Sequence, residues 1–242
     1  PQPTTGEDHA DPSYSPTPQF WVPAEEVERC LGTPGNWMLA FKDVTSPTNE
    51  RTMICAAIPR TPAGNNLPLL LNQEGQETPL HLLLANLASF ALDFAARKKV
   101  GGQHLNFFIV EQLPVLPPER YEEDFGGVRL ADFVTERVLE LTYTAHDMAG
   151  FARDMGYVDE DGEVLEPFEW DEERRLHLRC QLDALYFHVY DLDREDASYI
   201  LDTFPIVREH DMEDYGHYRT KDLILHYYNA YAAGDMDAWV EG

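Results

Sequence analysis

Residues 79–102 carry the sequence PLHLLLANLASFALDFAARKKVGG, and this stretch decides how the chain is organised. Apolar side chains dominate it as far as Ala96, three cations follow at 97–99, and two glycines close it. Cations are favourable at the negative end of the helix dipole, and glycine commonly follows the last turn of a helix. The pattern therefore predicts one long, buried helix over 79–99.

Four polar side chains interrupt the apolar run, at His81, Asn86, Ser89 and Asp93. A membrane-spanning helix needs about 20 predominantly apolar residues. The run is too short and too polar for that role, so we predict a core helix and no contact with a membrane.

The three cysteines of the chain are far apart in sequence. Their number and spacing exclude a disulfide framework and a clustered cysteine zinc site. They indicate a reducing compartment, and we expect the protein in the cytoplasm.

Short β-type runs lie on both sides of the helix. The runs at 37–42 and 51–58 are rich in strand-forming side chains, and the turn residues 46–49 between them predict a hairpin. Residues 67–71 predict a third short strand before the helix, and residues 105–110 predict another strand after it.

The spacing of apolar residues changes after the strand-rich part. They recur every three or four positions, which is typical of amphipathic helices, and one such helix is predicted near 130–155. Asp171, Asp193 and Thr220 stand where their side chains can cap three further helices.

These elements predict an α+β fold in which a mixed β/α module over 20–118 is followed by a mostly helical module over 119–242. Residues 1–19 are rich in proline, serine, threonine and acids, so we expect a flexible arm or linker there. Hydrophobic residues make up 43% of the chain and aromatic residues 12%, which is enough for a packed core and excludes a wholly disordered protein.

Charge is distributed unevenly along the chain. There are 44 acidic residues against 18 lysines and arginines, and the net charge is −26. Such a chain cannot bind a polyanion through its overall charge, so any contact with nucleic acid must come from a local patch. Residues 37–112 hold six acids and six bases, whereas residues 113–242 hold 32 acids and 11 bases. Any such patch would have to lie in the balanced segment.

Sequence motifs of catalysis are absent from the 242 residues. The sequence contains no GxxxxGK phosphate loop, no HExxH zinc helix and no GxSxG nucleophile elbow. The nine histidines are scattered along the sequence. Only His177 and Cys180 have the spacing of a metal-ligand pair on a helix, and a zinc site needs at least one more ligand. We expect no catalytic activity and no cofactor in these residues alone.

Three stretches of the sequence resemble a known protein family. Residues 86–117 read NLASFALDFAARKKVGGQHLNFFIVEQLPVLP, residues 199–207 read YILDTFPIV, and residues 218–225 read YRTKDLIL. Together they resemble the C-terminal part of large bacterial and archaeal N6-adenine DNA methyltransferases of the fused restriction-modification and phage-defence type. Residues 37–60 are similar to the strands that precede the helix in that family. The resemblance covers 37–118 and 180–232.

The resemblance implies a role in recognising a DNA target. In that family the region follows the methyltransferase domain, which binds S-adenosylmethionine, and it ends in a helical tail. The chain opens at Pro1 without an initiator methionine, and we expect it to be a fragment of such a parent enzyme. The implied partners are double-stranded DNA, the upstream methyltransferase domain and other subunits of a defence system.

The candidate DNA contacts lie in the charge-balanced segment. Arginine and lysine would meet phosphates, a glycine pair would let the backbone approach a phosphate closely, and polar side chains at strand spacing would reach base edges. The candidates are Lys42, Arg51, Arg60, Arg97, Lys98, Lys99, Gly101, Gly102, His104 and Asn106.

Structural alternatives stand beside these assignments. The cations at 97–99 also complement a helix C-terminus, and Arg51 and Arg60 also suit plain surface. Asn106 also suits a buried polar bracket for the Leu-Pro loop that follows it. For the function, one alternative is an acidic interaction module that docks a basic partner subunit or imitates the charge of DNA. Another is a folding scaffold for the parent enzyme.

Overall fold

A computed structural model describes residues 4–18, 20–32, 35–72 and 78–240 of the chain. Within these residues it contains eleven α-helices and two small antiparallel sheets, with about half of the residues in helices and 9% in strands. The fold is α+β with a helical C-terminal part, as the sequence predicts.

The helices are numbered in chain order. They are α1 (Gly6–Ala10), α2 (Ala24–Leu31), α3 (Leu80–Ala88), α4 (Phe90–Lys99), α5 (Phe107–Val110), α6 (Leu130–Thr142), α7 (Ala149–Asp154), α8 (Glu172–Val189), α9 (Arg194–Asp202), α10 (Pro205–Asp214) and α11 (Arg219–Ala232). Single turns of 3₁₀ helix lie at Pro118–Glu122 and His146–Met148.

The larger sheet contains β1 (Trp37–Phe41), β2 (Cys55–Pro59) and β3 (Leu69–Leu70), in the order β2-β1-β3. The strands β1 and β2 pair antiparallel from Trp37 opposite Pro59 to Phe41 opposite Cys55, which confirms the predicted hairpin. Its second strand starts four residues later than predicted, because residues 51–54 turn toward α4. A short hairpin of β4 (Asp124–Phe125) and β5 (Val128–Arg129) forms the second sheet.

The prediction of one long helix over 79–99 is wrong, because the chain breaks at Ser89. The helices α3 and α4 are bent by 70° at that point. Ser89 has extended backbone angles, and its hydroxyl accepts a hydrogen bond from the Leu92 amide at 3.3 Å. The Phe90 amide donates to Asp183 at 2.7 Å. The Asp183 carboxylate and the Ser89 hydroxyl thus accept hydrogen bonds from two amides in the first turn of α4, so a new helix can begin there.

No single helix in the described part of the chain is long and apolar enough to cross a membrane. Helices α3 and α4 reach the length and apolar composition of a membrane span only if they are counted as one segment, although they are bent at Ser89. Both helices carry many buried core residues.

The prediction of a strand at 105–110 is also wrong. Only His104 forms a bridge there, with Val44, and the chain then enters α5. The Asn106 carbonyl accepts the amides of Ile109 and Val110, at 3.0 and 3.2 Å, so the backbone satisfies itself in a helical turn.

The cap assignments in the helical part divide into two groups. Asp171 and Asp193 accept hydrogen bonds from amides three residues ahead, at 2.9 and 2.8 Å, and both caps are confirmed. The prediction that Thr220 caps the last helix is wrong, because α11 begins one residue earlier and the Thr220 amide donates to Asp211 at 2.6 Å.

The predicted helix near 130–155 is shorter than expected. It ends at Thr142, and α7 begins only at Ala149 after a turn of 3₁₀ helix. The Tyr143 carbonyl accepts the amide of Phe168 at 2.9 Å, so the chain leaves the helix where a distant segment supplies another partner.

One cluster of buried side chains runs through the whole protein. It contains Leu39 and Phe41 from β1 as well as Ile224 and Tyr227 from α11, and it therefore includes both modules predicted from the sequence. The helix α8 lies against α11, and α4 lies against α9. Part of the predicted arm also contacts the helical half, since the His9 ring stacks on Trp170 with centroids 4.1 Å apart.

Candidate nucleic-acid interface

Arg97 points into the protein. Its Nη1 donates to the Thr203 carbonyl at 3.0 Å and its Nη2 to the Glu50 carbonyl at 2.7 Å, while the guanidinium carbon lies 4.0 Å from the centre of the Phe204 ring. Partial burial lowers the pKa of Arg97, since desolvation disfavours the charged form. Arg97 thus links the loop after β1 to the end of α9. A residue that contacts phosphate, or one that only complements the helix dipole, would not need these two carbonyl contacts.

Arg51 is held at the other end of α4. Its Nε donates to Asp93 at 2.7 Å, and a second N–H group donates to the Ala88 carbonyl. Asp93 is fully buried and also accepts the amides of Thr52 and Met53, at 3.0 and 2.8 Å to Oδ1. The carboxylate is the acceptor around which residues 51–53 turn.

Arg60 forms a two-pronged ion pair with Glu28 on α2. Its Nε and Nη2 each donate to a carboxylate oxygen of Glu28 at 2.8 Å. Arg51, Arg60 and Arg97 were the arginines of the predicted DNA-contacting set, and each of the three donates at least two N–H groups to acceptors within the protein. We therefore do not retain them as DNA contacts.

The lysines of the predicted set differ from these arginines. Lys42, Lys98 and Lys99 are exposed, and within the described residues none of them pairs with a carboxylate. Lys98 Nζ lies 5.0 Å from the centre of the Phe94 ring, and Lys99 Nζ lies 3.5 Å from Gln112 Oε1. Their charges are therefore available to a ligand.

Backbone pairing brings Lys42 to the segment that follows α4. The Leu105 amide donates to the Asp43 carbonyl at 2.7 Å, and the Thr45 amide donates to the Gln103 carbonyl at 3.0 Å. The exposed His104 side chain places Nδ1 2.8 Å from Asp43 Oδ2. We use the name lysine face for the following exposed residues of these two paired segments: Lys42, Lys98, Lys99, Gly101, Gly102, His104, Asn106, Phe107 and Phe108.

Gly101, Gly102 and Asn106 are exposed on this face. A Cβ atom added at either glycine would meet nothing within 4 Å, so open space adjoins the backbone there. The Asn106 side chain has no hydrogen-bond partner among the described residues. The bracket for the Leu-Pro loop is Asn86 instead, whose Oδ1 accepts the Leu116 amide at 2.9 Å.

Phe107 and Phe108 are the residues that the sequence reasoning missed. They are 49% and 63% exposed, which is uncommon for large apolar side chains. The incorrect strand prediction hid them, because it placed one of the two in the interior. The signal that could have found them is the pair itself, two adjacent aromatics directly after a polar and glycine-rich loop.

The charge of the lysine face departs from that of the whole chain. Over residues 42–43 and 98–112 there are three lysines against the two carboxylates Asp43 and Glu111. The net charge of these residues is thus slightly positive, whereas the net charge of the whole protein is −26.

No group of three or more histidine, cysteine, aspartate or glutamate side chains in the described ranges could hold a metal ion. All three cysteines are free. No protein-family model, no curated protein and no solved structure matches the chain. The geometry of the chain itself is therefore the basis for a functional assignment.

Proposed function

We propose that this chain is the DNA target-recognition region of an N6-adenine DNA methyltransferase of the restriction-modification or phage-defence type, and that the lysine face meets the double helix. The observation that supports it is the position of three exposed lysines on the two segments that the pairing of residues 43–45 with 103–105 joins, in a strongly acidic protein; none of the three pairs with a carboxylate among the described residues. Residues 98–108, which lie within the run 86–117 that carries the sequence resemblance, include most members of this face.

The lysine face supplies the two kinds of contact that such a region needs. Lys42, Lys98 and Lys99 would meet phosphates and set the position on the duplex. His104 and Asn106 carry polar groups that can reach base edges. Phe108 would supply an apolar contact, to a thymine methyl group or as a wedge between base steps.

The proposal places the chemistry elsewhere in a parent enzyme. A methyltransferase domain would bind S-adenosylmethionine and the flipped adenine, and this region would grip the DNA beside it. The parent would work in the cytoplasm, where its DNA is, and other defence subunits could join it there.

The test is fluorescence anisotropy of the chain with a labelled duplex across a series of salt concentrations. A triple variant, Lys42→Gln with Lys98→Gln and Lys99→Gln, is compared with a control triple that removes exposed arginines lacking ion pairs among the described residues, namely Arg153→Gln, Arg194→Gln and Arg208→Gln. Each lost phosphate contact lowers the slope of log affinity against log salt by roughly 0.9. We expect a slope lower by roughly 3 in the lysine variant alone.

Equal loss in the two triples would mean that net charge, not the lysine face, controls binding. Phe108→Ala separates the apolar contact from the phosphate contacts. It should weaken binding without changing the salt slope, because no charge is removed. A change in slope for Phe108→Ala would contradict the assigned role.

An acidic docking module is the second candidate, and one observation favours it. Five exposed carboxylates on α9 and α10 have no cation partner within the described residues: Glu195, Asp196, Glu209, Glu213 and Asp214. They could attract a basic partner subunit. No duplex binding at 50 mM salt, together with salt-sensitive binding of the chain to polylysine that is lost when these five become glutamines, would favour docking over DNA recognition.

A further inference from the structure

A groove separate from the lysine face lies between β2, α3, α6 and α8. Its volume is about 470 Å³, which falls in the usual range for small-molecule sites. Much of its lining is apolar, with Met53, Leu84, Val138, Leu141 and Leu182 among the side chains. It shares no residue with the lysine face.

One face of α8 contributes charged side chains to the groove at regular spacing. Arg175, Arg179 and Asp183 all line it, and positions four apart on a helix lie above one another. Desolvation, together with the neighbouring charge of Arg179, lowers the pKa of Arg175 to about 10. Arg175 itself is engaged, since its Nη1 donates to the Leu141 carbonyl at 2.9 Å, so its charge adds to the positive potential beside Arg179.

Arg179 has its donors free. It is exposed, and no ion pair or hydrogen bond holds its guanidinium group within the described residues. Arg51 also lines the groove, so a third guanidinium group lies nearby.

Asp183 lies among these cations although its residue is only 7% exposed. Its Oδ1 accepts the Phe90 amide at 2.7 Å, while Oδ2 has no partner among the described residues and is not sealed from the groove. Asp183 therefore combines deep burial with an unused oxygen atom at the groove.

We propose that this groove binds a small monocarboxylate with an aliphatic body. The carboxylate would pair with Arg179, whose fork of N–H groups matches two oxygens. The aliphatic body would lie on the Leu84, Val138 and Leu141 side chains. Asp183 would share one proton with the ligand, as two neighbouring carboxyl groups do.

The lining of the groove disfavours three other kinds of occupant. Arginines repel a cationic ligand, and a doubly charged phosphate would meet the Asp183 carboxylate. An aromatic ligand finds no free face on Trp170, because His9 stacks on one side at 4.1 Å and the Arg175 guanidinium lies 3.6 Å from the ring centre.

Isothermal titration calorimetry of the chain with octanoate tests the site, with octanol and octylamine as probes that change only the headgroup. We expect saturable binding of octanoate and none of octylamine. A series from butanoate to octanoate should gain roughly fourfold in affinity for each methylene group buried. Inorganic phosphate binding as tightly as octanoate would overturn the assignment.

Variants locate the ligand. Arg179→Gln should weaken octanoate binding roughly tenfold or more, since a charged hydrogen bond is lost. Arg208→Gln, an exposed arginine on α10, should leave the affinity unchanged. Ala88→Trp places a bulky group at the exposed end of α3 and should block binding while Arg179 stays in place. Octanoate binding that survives both Arg179→Gln and Ala88→Trp would refute the site.

Shared proton binding makes the affinity depend on pH. The charged groups that act on Asp183 are Arg51 before β2, Asp93 on α4 and Arg179 on α8, and the buried Cys180 and Tyr186 on α8 are its titratable neighbours. Octanoate should bind more tightly at pH 5.5 than at pH 7.5, and Asp183→Asn should bind equally well at both values because its amide donates permanently. An unchanged wild-type affinity across this range would remove Asp183 from the site.

Discussion

The two ends of helix α4 use charge in opposite ways. At its N-terminal end, Asp93 and Asp183 are buried and bind backbone amides, and Arg51 pairs with Asp93. At its C-terminal end, Lys98 and Lys99 are exposed and pair with no carboxylate in the described part of the chain. The comparison teaches that cations can serve stability at one end of a helix and remain available to a ligand at the other.

Arg97 shows where the division falls. It precedes Lys98 directly, yet its side chain reaches carbonyl groups of the loop after β1 and of α9. One residue along a helix turns a side chain by about 100°, which is enough to move it from the open side to the packed side.

The largest expected effect lies at the buried end. Asp93→Ala removes the acceptor of the Thr52 and Met53 amides and leaves Arg51 without its partner. The loss of one member of a buried ion pair typically costs 3–5 kcal/mol, so the free energy of unfolding should fall by about that amount. Urea denaturation followed by circular dichroism measures it.

Asp132→Ala is the matched control for this variant. Asp132 lies on α6 with its side chain 67% exposed and pairs with Arg129 at 3.1 Å. An exposed pair contributes less than about 1 kcal/mol. A comparable loss in the two variants would break the contrast between a buried acceptor and a surface pair.

A pH effect tests the other carboxylate at the buried end. Burial raises the pKa of Asp183 to about 6, whereas an aspartate in an unfolded chain has a pKa near 3.9. The folded protein holds this proton more tightly, so the group costs stability as pH rises from about 4 to 6. The full cost above that range is roughly 3 kcal/mol for two pKa units.

Asp183→Asn isolates this cost, since the amide oxygen can still accept the Phe90 N–H and does not titrate. Between pH 4 and pH 7 the unfolding free energy of the variant should gain roughly 2 kcal/mol relative to the wild-type protein. Denaturation curves at both pH values measure these free energies. If they change by the same amount in the two proteins, the pKa of Asp183 is not raised by folding.

The smallest expected effect compares neighbours at the open end. Arg97→Met removes two charged hydrogen bonds to carbonyl groups and should destabilise the protein by roughly 2 kcal/mol. Lys98→Met should change stability by less than about 0.5 kcal/mol, as surface substitutions usually do. Thermal unfolding measures both.

Duplex binding should reverse the order of these two variants. Lys98→Met should reduce the salt slope of DNA affinity, and Arg97→Met should leave it unchanged. If Arg97→Met lowers the slope of log DNA affinity against log salt concentration, Arg97 contacts DNA after all.

The sequence was a good guide where a feature depends on neighbouring residues. The hairpin of β1 and β2 follows from two strand-like runs with turn residues between them. The caps at Asp171 and Asp193 follow from a side chain bonding an amide three positions ahead. Each needs only a few consecutive residues, so local patterns predict it.

The errors arose where a distant partner intervened. Ser89 looked like one polar position in a continuous helix, but Asp183, 94 positions away, supplies an acceptor for the amide of the next residue and helps a new helix to start there. Arg97 looked like a helix-end cation, but the carbonyl groups that hold it come from other elements.

The amino-acid sequence by itself determined the fold class, the absence of known catalytic motifs and the segment in which acids and bases balance, because composition and short-range periodicity carry that information. Only the tertiary structure decided which cations face solvent and which bond to the interior, where Phe107 and Phe108 lie, and that Arg175, Arg179 and Asp183 border an apolar groove. The reason is physical: the free energy of a charged side chain depends on the dielectric surroundings and acceptors that distant segments bring to it, and these exist only after the chain has packed.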